Sequence, residues 1–148
     1  MLERLWAYKM NMEEIYSQII LDHSRNQANK HELEDADVKE PGHNPSCGDE
    51  IVLELKYDGD KIVDAAFTGD GCAISQAATS VMCDTIIGKS KEEAKELADI
   101  YIRMIKRDEI SDEELDKLGD AAAFINIQNM PQRVKCALLS WKTLDQVI

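Results

Sequence analysis

Glu50-Ile51-Val52-Leu53-Glu54-Leu55-Lys56-Tyr57, then Asp58-Gly59-Asp60, then Lys61-Ile62-Val63-Asp64-Ala65-Ala66-Phe67-Thr68 is the stretch whose reading decides the fold. The first run alternates, with Ile51, Leu53, Leu55 and Tyr57 on one face of a half-buried strand. Asp-Gly-Asp is a tight-turn signal. The second run alternates again, placing Val63, Ala65 and Phe67 on one face, so the spacing predicts a β-hairpin. A two-stranded ribbon is marginal in water, and a third strand or firm helix packing must complete it.

Helices surround this hairpin. Downstream, Gly69-Asp70-Gly71-Cys72 leads into a stripe of Ile74, Ala77, Ala78, Val81, Met82, Thr85 and Ile86, ended by Gly88. Ser90 with Glu93 forms a capping-box pattern for a helix to about Lys106, and Ser111 with Glu114 repeats it for a short helix through Leu118. Pro131 suits the first turn of a last helix carrying Val134, Leu138, Trp141 and Leu144. Upstream, Met12, Ile15, Tyr16, Ile19 and Ile20 recur at helical spacing over residues 12–24. Residues 25–46 are polar, contain Pro41, Gly42 and Pro45, and read as a long loop with at most a short extended piece near Val38. The fold class is α+β: a small antiparallel sheet with helices covering one face. Residues 12–148 read as one domain and residues 1–11 as an N-terminal arm, in which Leu2, Leu5 and Trp6 fall on one side.

Seventeen basic residues against twenty-nine acidic give a net charge of −12 over 148 residues. That balance disfavours nucleic acid and anionic membranes and favours partners with basic surfaces. No run approaches the roughly 20 apolar residues that span a bilayer, and the first residues have no signal-peptide core. A cytoplasmic chain is expected. Thiols there stay reduced, so four cysteines point to metal or sulfur chemistry before disulfides.

The hairpin makes a geometric prediction about them. With the turn at 58–60, opposed residue numbers sum to about 117–119, and those of Cys47 and Cys72 sum to 119. Both therefore belong at the open end of the ribbon, and Asp49, two residues after Cys47, points to the same side in an extended chain. Cys72 precedes a helix, whose first N–H groups favour a thiolate. Cys136 stands about 120° from the centre of the last helix's apolar stripe, off its core face. Arg133 and Lys135 flank it and favour its anion. Three thiolates and one carboxylate suit tetrahedral zinc and also an iron–sulfur cluster. Cys83 reads as a bystander thiol. His23 ends a helix, His31 lies in the loop, and His43 reads as a solvated loop histidine, with gating of the site as the alternative.

Asn44-Pro45-Ser46-Cys47-Gly48-Asp49, Gly69-Asp70-Gly71-Cys72-Ala73-Ile74-Ser75 and the stretch from Arg133 to Leu144 resemble, in order, the three signatures of the IscU/NifU-type iron–sulfur assembly proteins. The resemblance covers roughly residues 12–147 and is greatest to the SufU branch, which has Arg-x-Lys-Cys at the third cysteine and extra residues such as those from Arg107 to Gly119. It implies a SufE/IscU-like sandwich in which a small three-stranded antiparallel sheet carries helices on one side. It implies metal ligands Cys47, Asp49, Cys72 and Cys136, with Cys47 accepting sulfur and Arg133 in support. The cofactor implied is zinc, or alternatively a transient [2Fe–2S] cluster held by Cys47, Cys72 and Cys136 and built on the protein as a scaffold. The partners implied are a SufS-like cysteine desulfurase and downstream apo iron–sulfur proteins or carriers.

Overall fold

The computed structural model describes residues 12–25, 27–45 and 48–148. The proposed arm and Cys47 lie outside these. Helix α1 (Met12–Arg25) is followed by strands β1 (Val38–Asn44), β2 (Asp49–Asp58) and β3 (Lys61–Asp70). Helices α2 (Ala73–Ile86), α3 (Lys91–Ile105) and α4 (Asp112–Lys117) come next, then a run of 3-10 turns over Gly119–Asn129, and finally α5 (Pro131–Val147). The sheet is antiparallel throughout, in the order β1-β2-β3. Among the described residues, no helix is long and apolar enough to cross a membrane.

The hairpin forms where alternation and Asp58-Gly59-Asp60 place it, with one correction. Tyr57 pairs with Ile62 but Lys56 pairs with Asp64, so Val63 is an extra residue in β3. A bulge of this kind moves every later residue by one position. Ile62 therefore joins Ala65 and Phe67 on the core face, whereas Val63 is 40% exposed. Beyond the bulge, opposed numbers sum to 120, as in Glu50 with Asp70.

A second correction concerns residues 25–46. Their second half is not loop: Val38–Asn44 pairs with β2 along its whole length, from Val38 opposite Leu55 to Asn44 opposite Asp49. Pro41 is tolerated because β1 is an edge strand. Gly42 is required because a Cβ there would collide with Thr143 Oγ1 of α5. Residues 27–37 cross the other face of the sheet. Asn29 accepts the Phe67 N–H at 3.0 Å, Leu33 N–H donates to Glu54 Oε1 at 3.2 Å, and Asp37 N–H donates to Leu55 O at 2.9 Å.

The helices cover the core face. Tyr101, Phe124 and Trp141 are fully buried. The Tyr101 and Trp141 rings stack at 4.3 Å between centroids, and the Tyr101 hydroxyl donates to Ala137 O at 2.9 Å. Ser111 and Glu114 form a complete capping box. Ser90 accepts the Glu93 N–H at 3.1 Å.

Candidate metal centre

β3 ends by running close along β2. Gly69 has φ +114, and a Cβ there would collide with the Glu50 carbonyl, so neither the conformation nor the approach admits a side chain. The chain then turns through Gly71 into α2, with Cys72 as N-cap. The Cys72 side chain accepts the Ser75 N–H at 3.4 Å, and Cys72 N–H donates to Asp49 Oδ1 at 2.9 Å. Asp49, at the start of β2, is fully buried. Burying a carboxylate is tolerable only with compensating donors and charge, and here it lies beside the N-terminus of α2, where backbone dipoles favour an anion.

Cys136 approaches from α5. The reading that it avoids the core is corrected: it is 5% exposed. The apolar face of α5 is wide, spanning Ala137, Leu138, Trp141 and Leu144, and Cys136 sits at its margin, covered by the open end of the sheet and α2. Asp49, Cys72 and Cys136 each place one ligand atom within 4.8 Å of the other two. Three separate elements thus deliver two sulfurs and a carboxylate to one point, open to solvent on the Cys72 side.

The donor set fits a metal ion. Ligands at zinc distances stand about 3.3–3.8 Å apart in a tetrahedron, so small side-chain adjustments suffice. One buried hydroxyl near the cluster, Ser75 Oγ, has no hydrogen-bond partner among the described residues. Burial raises the pKa of Tyr16; Arg133 opposes this, while the Cys72 and Cys136 sulfurs add to it. Arg133, at the exposed start of α5, thus acts on the same Tyr16 hydroxyl as the two sulfurs do. Tyr16 was legible only as part of an apolar stripe. The signal for Ser75 was its place three residues after an N-capping cysteine.

The other candidates lie elsewhere. Cys83 is fully buried in the helical core, which pushes its thiol pKa far up and keeps it protonated. His23 Nδ1 hydrogen-bonds Ser80 Oγ at 2.6 Å. His43 is on β1 rather than in a loop, 3.5 Å from Glu50 and more than half exposed. His31 contacts the carbonyl of Glu32.

Comparison with known proteins now places the chain. The model of the NifU-like N terminal domain matches residues 15–137. The chain belongs to this family. Among NifU-like relatives, the zinc-dependent sulfurtransferase SufU of Bacillus subtilis (strain 168) is 41% identical, over 95% of this chain and 93% of that one. The iron–sulfur cluster assembly scaffold protein IscU of Streptococcus pyogenes serotype M1 is 40% identical over 93% of this chain and 84% of its own. The crystal structure of FiSufU from Fervidobacterium islandicum AW-1 superposes with a TM-score of 0.83 at 46% identity, covering 89% of this chain and 95% of that one. The three-stranded NifU-like sheet and its helices are therefore shared with a solved SufU structure.

Proposed function

We propose that this chain is an iron–sulfur cluster assembly protein of the SufU kind, a zinc-dependent acceptor of persulfide sulfur from a cysteine desulfurase. The observation that carries this reading is the convergence of Asp49, Cys72 and Cys136 within 4.8 Å. Cys47 joins them in this reading because it stands two residues before Asp49 in the sequence, a chain reach of about 7 Å. Cys47, Asp49, Cys72 and Cys136 would hold the ion. When bound, zinc keeps its thiol ligands deprotonated.

Sulfur transfer then follows thiol–disulfide chemistry. The Cys47 thiolate attacks the outer sulfur of the desulfurase persulfide. A Cys47–sulfur bond forms, the donor's sulfur–sulfur bond breaks, and the donor cysteine leaves as a thiolate with no net oxidation. Arg133 supplies the positive charge that stabilises anionic sulfur in this exchange. The chain's net charge of −12 favours a donor enzyme with a basic surface.

Persulfide transfer from a cysteine desulfurase, followed by alkylation and mass measurement, tests the assignment. Cys47→Ala is expected to abolish it, and undiminished transfer rejects Cys47 as acceptor. Asp49→Ala is expected to lower both bound zinc and desulfurase stimulation.

The carboxylate of Asp49 supports a second reading. A hard oxygen among thiolates holds iron loosely, as suits a scaffold on which a [2Fe–2S] cluster is built and passed to apo-proteins. Anaerobic purification separates the two. Stoichiometric zinc that resists iron and sulfide supports the acceptor, and a visible chromophore that moves to an apo-acceptor supports the scaffold.

A further inference from the structure

Buried side-chain polar atoms without a hydrogen-bond partner among the described residues include Tyr16 Oη, Ser75 Oγ, Ser140 Oγ and Trp141 Nε1. One of these, Ser75, borders the metal cluster. Ser75 follows Cys72 by three residues, whereas Tyr16 interacts with Arg133 and Ser140 lies one helical turn beyond Cys136. An unpaired buried hydroxyl costs stability, so the one at this site calls for a partner that arrives with the ligand.

Ser75 is the best placed. It is 1% exposed, and its backbone N–H already donates to Cys72 Sγ at 3.4 Å. A Cβ added at Gly71 would lie 2.8 Å from Asp49 Oδ1 and 3.2 Å from Ser75 Oγ. The two oxygens therefore border one small gap, which the missing side chain of Gly71 keeps open.

We propose that Ser75 is a positioning residue whose hydroxyl closes across this gap on metal binding and donates to Asp49 Oδ1. The Cys72 N–H already donates to that oxygen at 2.9 Å, and the Ser75 hydroxyl would add a donor from the other side of the gap. A carboxylate held this way meets the ion in a fixed orientation. Ser75 so sets how firmly the one oxygen ligand of the site is held. The inference rests on the reading of Asp49 as a metal ligand.

The test uses the full chain with Ser75→Ala and Ser75→Thr, zinc affinity by competition with a chromophoric chelator, cobalt(II) absorption spectra, and melting of the metal-free protein. Ser75→Ala should melt no lower than wild type without metal, since only an unpaired hydroxyl is lost. It should bind zinc about 10–100-fold more weakly and shift the cobalt ligand-field bands, and Ser75→Thr, which keeps the hydroxyl, should restore both. In an Asp49→Ala background, Ser75→Ala should change zinc affinity by less than about twofold, because the acceptor is gone. Wild-type affinity and spectrum in Ser75→Ala, or the same loss with Asp49 absent, would overturn the role of Ser75 alone. A wild-type chain that takes up neither ion would overturn this inference together with the proposed zinc site.

Discussion

Trp141 and Cys136 are five residues apart on α5, and their surroundings differ in kind. Around Trp141 the side chains are large, apolar and stacked, with Tyr101 anchored to the Ala137 carbonyl and edge-on to Phe124 at 6.4 Å. Around Cys136 there are a fully buried carboxylate, the Cys72 sulfur and the Ser75 hydroxyl, which has no partner among the described residues. The first region is a close-packed apolar core, in which Trp141 Nε1 has no hydrogen-bond partner among the described residues. The second differs in bringing a buried carboxylate and two sulfurs to one point, as a site kept ready for a ligand requires. One helix therefore serves as structural anchor along part of its length and as ligand carrier near its start.

This contrast can be broken from either end. The largest expected effect is on the packed side: Trp141→Ala should destabilise the chain by about 3–5 kcal/mol in urea unfolding, while any variant protein that remains folded keeps Asp49, Cys72 and Cys136 in place and binds zinc as wild type does. Gly71→Ala should show a smaller, mixed effect. Its methyl would press on Asp49 Oδ1 at 2.8 Å, costing about 1–3 kcal/mol and weakening zinc binding in parallel, read by melting and chelator competition on the same sample. Loss of stability with unaltered zinc affinity would separate Gly71 from the site.

The smallest effect lies outside both regions. Glu114 is ion-paired with Arg103, which together with the Ser111 N–H holds its pKa at about 2, below the ordinary 4.5. A depressed carboxylate contributes stability above its unfolded pKa and loses it as pH falls through the folded value. Acid unfolding followed between pH 4.5 and 2 should therefore be shallower in Glu114→Gln than in wild type, with metal binding at neutral pH unaffected.

Much of this architecture was legible from local signals. Asp58-Gly59-Asp60, the capping pair Ser111 and Glu114 and the stripe from Ile74 to Ile86 each report a short-range preference that the fold keeps. What escaped depends on distant partners. Val38–Asn44 carries Pro41 and Gly42, which read as breakers, yet an edge strand tolerates the first and the nearness of Thr143 demands the second. Val63 misled because a bulge is invisible to strict alternation. The 3-10 run over Gly119–Asn129 has no 3.6-residue repeat, although the apolar Ala121, Ala123, Phe124 and Ile127 marked it as buried. At the site, hairpin logic brought Asp49 and Cys72 together. The burial of Cys136 and the unpaired hydroxyl of Ser75 follow from how α5 and α2 meet the sheet, which no local pattern encodes.

The sequestered thiol of Cys83 has a practical consequence. Enclosed by the helical layer and held protonated, it stays silent toward alkylating reagents until that layer opens. Reagent uptake by this one sulfur is thus a built-in gauge of core opening, and the native chain can be labelled at its site cysteines without first removing it.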